Sequence, residues 1–272
     1  MLYCPHTNES EDAGMRLIFV RHAEPDYSID SLTAKGRFEA ELLSRRLAKL
    51  NVKAFYCSPL GRAKDTAAPT LRRMGRTAEI RPWLAEFRGH CFDQEAGRER
   101  ICWDYKPQQW QGNMQLYDPD AWVQDALVSG GNVAEIWEET KAGLDALLAE
   151  HGYIRDGHLY RCEDNQPDTL VFFCHYGIAT AMMAYLLNLS PLPLWQTMCM
   201  LPSSVTTLIS EERVKGQIAW RCSQYGDQSH LYAAEEPAST AAMYHEIYDG
   251  YDTTDPIEWI VQPKEEGPLF TD

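Results

Sequence analysis

The stretch RLIFVRHAEP, residues 16–25, ends an apolar run with an arginine and a histidine side by side. The run over residues 16–20 is short and nearly continuous in large apolar side chains, which is typical of a strand buried on both faces of a sheet. In doubly wound α/β sheets, ligands bind just beyond the carboxyl ends of the strands. We therefore predict that Arg21 and His22 lie at a ligand-binding site.

Two later apolar runs end in the same kinds of side chain. Residues 54–58, AFYCS, lead into a helical pattern that begins near Arg62, and residues 169–174, TLVFFC, lead into His175 and Tyr176. In a largely parallel sheet, the ends of such strands meet at one edge, which brings these side chains into one cationic pocket. Arginine offers a planar fork of donors that matches phosphate oxygens, and a neutral imidazole is a competent nucleophile. The pattern therefore favours a phosphoryl group as the ligand.

Strand-like runs alternate with amphipathic helical patterns along the chain. A fourth apolar run covers residues 203–210. One helical pattern follows Thr33, its predicted N-cap, and another opens on Asn132 and ends at Gly152. This alternation predicts a three-layer α/β/α sandwich with a mostly parallel sheet. The predicted apolar face of the first helix comprises Phe38, Leu42, Leu43, Leu47 and Leu50.

Composition divides the chain into a body and less regular segments. The first residues are polar and without periodicity, so translation could start at Met1 or at Met15. A segment rich in Trp, Tyr, Gln and charge is predicted to be an inserted cap, and the last segment holds ten acidic residues against one lysine. The predicted organisation is an extension over residues 1–14, a body over 15–234 with the cap at about 87–130, and an acidic tail over 235–272 that packs on the body or on a partner.

The overall charge excludes several classes of partner. A net charge of -15 at pH 7 argues against nucleic-acid and anionic-membrane binding, because both need a basic surface.

No stretch reaches the roughly 18 uncharged apolar residues of a membrane helix, and no signal-peptide pattern is seen, so we predict a cytoplasmic protein. The eight cysteines lack the spacing of a zinc site and are predicted to be reduced thiols. A homodimer, formed through a sheet edge or the tail, is left open.

The same residues match the motifs of a known family. RHAE at 21–24 resembles the Arg-His-Gly signature of the histidine phosphatase superfamily, which includes phosphatases and phosphoglycerate-mutase-like enzymes. The resemblance implies a phosphoglycerate-mutase-like fold and a metal-independent reaction that needs no cofactor. Further matches follow in the family's order: LTAKGRFEA at 32–40, SPLGRAKDTAAPT at 58–70, LAE at 84–86, CHYG at 174–177 and GDQSHL at 226–231.

Through this resemblance, each motif implies a role for a residue of this chain. His22 resembles the nucleophile that becomes phosphohistidine, and Glu86 resembles the proton donor to the leaving group. Two cations and a second imidazole suit the charged oxygens of in-line phosphoryl transfer. The predicted phosphate-binding set comprises Arg21, Arg62, His175 and Tyr176. The resemblance therefore implies a phosphomonoester hydrolase whose substrate is a small phosphorylated metabolite.

Two features of these motifs leave questions that the sequence does not decide. The apolar neighbours of Glu86, which include Trp83, Leu84 and Phe87, raise its pKa by desolvation, whereas nearby arginines lower it. Ala23 stands where the family signature has glycine. A methyl group there costs on the order of 1 kcal/mol if the residue needs a positive φ.

Other interpretations stay open beside the phosphatase. A phosphoglycerate-type mutase shares the phosphohistidine, but EPDYSIDSLTAKG at 24–36 lacks the Trp-Asn and Phe-Gly-Trp elements that such mutases usually show. A noncatalytic interaction protein could keep the fold, although it has no use for an acid opposite a nucleophile. His230 is interpreted as a residue that holds a loop, and Trp103, Trp110 and Trp122 as packing residues of the cap. The cap residues that could select the substrate include Arg88, His90, Arg98 and Arg100.

Overall fold

The structure is a computed structural model that describes residues 14–93, 97–241, 243, 246–248 and 251–252. The predicted extension up to residue 13 and the greater part of the acidic tail lie outside the described residues. The strands are β1 (Arg16–Arg21), β2 (Pro25–Asp26), β3 (Ser31–Leu32), β4 (Ala54–Cys57), β5 (Glu79–Ile80), β6 (His90–Asp93), β7 (Arg98–Ile101), β8 (Ile154–Asp156), β9 (Leu159–Arg161), β10 (Thr169–Cys174), β11 (Val205–Val214), β12 (Gln217–Asp227), β13 (Glu246–Tyr248) and β14 (Tyr251–Asp252). The helices are α1 (Ala34–Leu47), α2 (Gly61–Met74), α3 (Pro107–Trp110), α4 (Val133–Glu150), α5 (Tyr176–Leu187), α6 (Pro191–Thr197) and α7 (Ser229–Tyr232).

Eight strands form the central sheet, in the order β5-β4-β10-β1-β11-β12-β9-β8. The half from β5 to β1 is parallel throughout, and Arg21 at the end of β1 pairs with Cys174 at the end of β10. The other half pairs antiparallel, so within this sheet β11 and β9 run against the remaining six strands. The prediction of a mostly parallel sheet is confirmed, and β1 lies at the boundary between the two halves.

Alternate side chains of β1 enter two separate apolar layers. Leu17 and Phe19 belong to the buried cluster that includes α4 and α5, whereas Ile18 and Val20 belong to the cluster that includes α1 and α2. Successive side chains of a strand point to opposite faces of the sheet, so this division places helices on both faces. The structure therefore confirms the α/β/α sandwich.

Helix α1 begins where the sequence predicts and buries Leu42, Leu43 and Leu47 of the predicted face, but not Phe38. The Thr33 side chain accepts a hydrogen bond from Gly36 N at 3.0 Å and caps the helix. Phe38, predicted to be buried, is 47% exposed, whereas Glu39 is fully buried. At about 100° per residue, Phe38 lies about 140° around the helix from the buried Leu43. Its predicted place on the apolar face is therefore wrong.

Helix α4 covers the predicted stretch, but its first turn is not capped by the side chain before it. Asn132 precedes the helix, yet its side chain makes no capping hydrogen bond. Its Oδ1 instead accepts a hydrogen bond from His90 N at 2.9 Å, which ties the start of α4 to strand β6. Gly152, with a φ of +86°, lies just beyond the end of the helix, as predicted.

The segment predicted as a cap contains a hairpin that the sequence did not predict. Strands β6 and β7 pair antiparallel from His90 opposite Ile101 onward. Trp110 and Trp122 are buried, and the Trp122 ring lies 5.8 Å from the Trp195 ring between centroids. Trp122 therefore packs the segment against helix α6.

The described start of the acidic tail contacts helix α1. Lys35 Nζ donates to the Glu236 carboxylate and to Pro237 O.

Across the described part of the chain, no helix combines the length and the apolar character needed to cross a membrane. The cysteines that the structure describes are all free thiols.

Candidate active site

The ends of β4, β10 and β1 lie next to one another in the parallel half of the sheet. His22 N donates to Cys174 O at 3.0 Å, and Ser58 N donates to Phe173 O at 2.9 Å. The three backbone segments therefore stay aligned just past the last strand residues. The ring centroids of His22 and His175 are 5.2 Å apart. The structure thus brings both predicted imidazoles together at this edge.

The hydrogen bonds of His22 define which ring nitrogen is free. Its ring is almost fully buried, and Nδ1 lies 2.9 Å from Ala23 O. A carbonyl oxygen can only accept, so Nδ1 carries the ring hydrogen and Nε2 keeps its lone pair. Burial, together with the positive charges of Arg21 and Arg62, lowers the pKa of His22 to about 3. The imidazole is therefore neutral at pH 7 and presents a nucleophilic nitrogen.

In each of the two predicted arginines, one guanidinium nitrogen is held by a hydrogen bond. Arg21 Nη1 donates to Met200 O, and the guanidinium carbon lies 5.6 Å from the centre of the Tyr176 ring. Arg62 Nη1 donates to Asp30 Oδ1 at 2.7 Å. In each arginine, Nε is buried without a hydrogen-bond partner among the described residues. Buried cationic donors left open in this way suit the oxygens of an anionic ligand.

Asp30 lies at the candidate site beside Arg62, although the sequence patterns did not point to it. Its Oδ2 accepts from Gly61 N at 2.7 Å, while Oδ1 accepts from Arg62. Burial acts in the opposite direction, but these bonds hold the pKa of Asp30 below its ordinary value. The ionised carboxylate therefore fixes the guanidinium at the start of α2. The exposed Tyr27 ring also lies beside the guanidinium. Its centre is 5.4 Å from the Arg62 guanidinium carbon and 6.5 Å from the centre of the His22 ring.

His175 is oriented by a serine from the neighbouring strand end. Its Nε2 lies 2.7 Å from Ser58 Oγ, and the same oxygen accepts from Leu60 N at 3.2 Å. With the hydroxyl hydrogen directed to Nε2, the neutral ring carries its own hydrogen on Nδ1, which has no partner among the described residues. Burial and the neighbouring His22 and arginines hold the pKa of His175 well below its usual value. The ring can therefore donate one hydrogen bond to a phosphate oxygen.

Glu86 lies on the loop between β5 and β6 and contacts the start of helix α5. Its Oε1 accepts from Phe87 N at 2.8 Å and from Ile178 N at 3.1 Å. Burial raises the pKa of Glu86, although these two bonds and the Arg21 charge act to lower it. Desolvation therefore outweighs the arginines, which answers a question that the sequence left open. Gly177 leaves room for this approach, because a Cβ there would lie 2.7 Å from Glu86 Oε1.

The loop after β1 is held from several sides. Ala23, where the family signature has glycine, is fully buried and is not among the residues with positive φ, so the conditional strain does not arise. Its N–H donates to Thr66 Oγ1 at 3.0 Å. His22 O accepts from Ser203 N at 3.0 Å, and His230 Nε2 lies 3.2 Å from Ser203 Oγ. His230 therefore supports this loop, in keeping with its interpretation from the sequence.

Tyr176 has a supporting position beside the cations. Its hydroxyl lies 2.6 Å from Trp195 O and 2.8 Å from Met198 O, and its ring packs against Arg21.

A groove of about 980 Å³ lies at the far edge of the sheet, where it is lined by residues that include Arg161 and Gln217, and it contains none of the predicted site residues. The chemistry of the strand ends, and not the size of a groove, locates the candidate site.

Comparisons with known proteins agree with this geometry. The family model of the histidine phosphatase superfamily (branch 1) matches residues 17–222. Among solved structures, the mycobacterial glucosyl-3-phosphoglycerate phosphatase is similar at 22% identity and a TM-score of 0.51, covering 78% of this chain and 98% of that chain. A variant of phosphoserine phosphatase from Entamoeba histolytica, in complex with phosphoserine, is similar at 19% identity and a TM-score of 0.51, covering 80% of this chain and 99% of that chain.

At these identities the solved structures show a shared fold. A search of curated proteins gave no match. The family model, however, spans well over half of the chain, including the strand ends that carry both imidazoles. The chain therefore belongs to the histidine phosphatase superfamily.

Proposed function

We propose that the protein hydrolyses a small phosphomonoester in two steps through a phosphohistidine on His22, with Glu86 as the proton donor. The main support is the state of His22, whose Nδ1 is held by a carbonyl, whose pKa is lowered to about 3, and whose ring lies beside His175. A neutral imidazole with a free Nε2 near two arginines suits attack on phosphorus. The family resemblance implies that this attack needs no metal ion.

In the first step, the lone pair of His22 Nε2 attacks phosphorus while the ester oxygen leaves from the opposite side. The P–N bond forms, the P–O bond breaks, and the carboxyl group of Glu86 gives its proton to the leaving oxygen. Donors with fixed positions stabilise charge on the equatorial oxygens without reorganisation. In this proposal those donors are Arg21, Arg62 and His175 Nδ1.

In the second step, the ionised Glu86 takes a proton from a water molecule, whose oxygen attacks phosphorus. The new P–O bond forms as the P–N bond to His22 breaks, and inorganic phosphate leaves. Both side chains return to their starting protonation states, so the cycle consumes one water for each ester bond. The raised pKa of Glu86 supports this alternation, because burial favours the protonated carboxyl group that must be present when the ester oxygen leaves.

The substrate is proposed to carry a second anionic group near the phosphoryl group. The two solved relatives are named for glucosyl-3-phosphoglycerate and phosphoserine, which are phosphoesters of small molecules that also contain a carboxylate. In this chain, Arg88 is exposed two residues after Glu86, and its charge contributes to lowering the pKa of His175. An additional cation near the candidate site suits a carboxylate attached to the leaving group.

The substitution His22→Ala tests the assigned nucleophile. We expect release of p-nitrophenol from p-nitrophenyl phosphate to fall by at least about 1000-fold, because the covalent route is lost. After brief exposure to radioactive phosphoester, the wild type should carry acid-labile, base-stable label, and the variant should carry none. The matched control is His158→Ala, since His158 is an exposed histidine outside the candidate site. Turnover by the His22 variant at the wild-type rate would refute the role.

A panel of phosphoesters then separates hydrolase from mutase and defines the substrate. With 3-phosphoglycerate, hydrolysis predicts free phosphate as the main product, whereas isomerisation faster than phosphate release would identify a mutase. Phosphoserine and sugar phosphates without a carboxylate complete the panel. A preference of tenfold or more for the carboxylates supports the second anionic group, and equal kcat/KM values contradict it.

A further inference from the structure

A single peptide group connects the ring of His22 to a buried carboxyl group. The Ala23 carbonyl accepts the Nδ1 hydrogen of His22 at 2.9 Å. The N–H of the same peptide group, which belongs to Glu24, donates to Glu39 Oε2 at 2.9 Å. The order is therefore imidazole, carbonyl, N–H and carboxyl, with no gap between the members.

The burial of Glu39 is unusual for a carboxyl group. Its side chain is fully buried, although it lies on helix α1, and Oε1 has no hydrogen-bond partner among the described residues. The nearest cation, Lys35 Nζ, is 4.0 Å away and is shared with Glu236. Burying a carboxyl group without a close ion pair is unfavourable, and such groups are concentrated at functional sites. Burial raises the pKa of Glu39 to about 7.

We infer that Glu39 is a positioning residue for the nucleophile: its carboxylate orients and polarises the peptide between Ala23 and Glu24, which holds His22 with Nε2 as the attacking nitrogen. This inference rests on the proposed function. A negative charge at the N–H end of a peptide increases the electron density of its carbonyl oxygen, because hydrogen bonds in series strengthen one another. The stronger acceptor stabilises the positive charge that the ring of His22 gains as Nε2 bonds to phosphorus.

The charge of Glu39 depends on pH because of the groups that face it. Lys35 favours the ionised form, whereas Glu24 and Glu236 oppose it. The protonated form can still accept from Glu24 N through its carbonyl oxygen, but it no longer supplies a charge. Attack by His22 should therefore become faster as the pH rises through about 7.

The experiment compares the full-length wild type with Glu39→Gln, which keeps an oxygen acceptor and removes the charge. Formation of the phosphoenzyme from p-nitrophenyl phosphate is followed in a single turnover between pH 5.5 and 8.5. The ratio of the two rate constants cancels other ionisations, such as that of Glu86. We expect a ratio near one at low pH that rises to about tenfold at high pH, because a charged acceptor is about twice as strong as a neutral one.

Two control variants separate positioning by charge from a loosened loop. Thr66→Val removes the hydroxyl that accepts from Ala23 N, and it should slow attack by the same factor at every pH. Glu41→Gln removes a half-exposed carboxylate from the same helix and should leave the rate constant unchanged. A flat ratio for Glu39→Gln, whether near one or well above it, overturns the inference.

A measurement on the unaltered protein avoids any folding defect of the variant. In a sample with 15N-labelled histidine, the Nδ1–H signal of His22 is assigned by its loss in His22→Ala. We expect this signal to shift with a midpoint near pH 7 while its hydrogen is retained. A signal that does not move between pH 5.5 and 8.5 contradicts the role of Glu39. Absence of any phosphoenzyme in the wild type would instead contradict the proposed function.

Discussion

Gly177→Ala changes the geometry of the proposed proton donor without replacing any of the predicted site residues. The added Cβ would lie 2.5 Å from the ring of Trp103 and 2.7 Å from Glu86 Oε1. Atoms that are not bonded prefer separations of about 3.5 Å or more. Both obstructing groups are ends of side chains, so they shift more easily than the backbone of helix α5. The carboxyl group of Glu86 must therefore move by roughly 1 Å.

The expected loss follows from this displacement. A misplacement of about 1 Å costs on the order of 100-fold in rate. The loss should depend on the leaving group, because an alkyl oxygen needs a proton to leave and p-nitrophenolate does not. We expect kcat for phosphoserine to fall about 100-fold and kcat for p-nitrophenyl phosphate to fall much less. Overpacking should also lower the free energy of unfolding by about 1–3 kcal/mol.

The assay measures kcat for both substrates and the free energy of unfolding in urea. The matched control is Gly130→Ala, because a Cβ at Gly130 meets nothing closer than 3.5 Å. This control should keep the wild-type kcat for both substrates. Equal losses on the two substrates for Gly177→Ala would refute the role of Glu86 as the proton donor.

The remaining predictions concern stability in acid and the anchor of Arg62. The free energy of unfolding should fall as the pH drops from 6.5 towards 3, because unfolded His22 binds a proton in this range and folded His22 does not. The shift of the His22 pKa corresponds to about 5 kcal/mol over this whole pH range, so the free energy of unfolding of His22→Ala, measured in urea at each pH, should fall by about this much less than that of the wild type; equal falls would contradict the neutral imidazole. Asp30→Asn should lower kcat/KM about tenfold, because Arg62 loses a charged anchor. Steady-state kinetics test this prediction, with Asp26→Asn as the matched control. An equal loss of kcat/KM in both variants would count against the role of Asp30.

Those site residues that directly follow buried strands could be predicted from the sequence. Arg21, His22 and His175 each come immediately at the end of an apolar run, and parallel pairing of β1 with β10 brings the ends of these runs together. The same pairing explains why the sandwich could be predicted from four apolar runs and the helices between them.

The partners of these residues could not be predicted in the same way. Asp30 reaches Arg62 from a loop without periodicity, and Ser58 is an ordinary strand-end residue until His175 approaches it. Glu39 is a charged residue on an amphipathic helix, so its sequence indicates a solvated side chain. Only the packing of α1 against the loop after β1 buries it. Contacts between distant segments therefore determine what the apolar pattern cannot.

The placement of the candidate site at the ends of the innermost strands also affects how the protein can vary. Amide hydrogens of β1 and β10 should exchange with solvent only when the whole sheet opens, whereas those of the β6–β7 hairpin should exchange through local opening. The hairpin belongs to a separate two-stranded ribbon. Insertions and replacements there leave the central strands intact, so selectivity for different esters can diverge while the same phosphoryl chemistry is inherited.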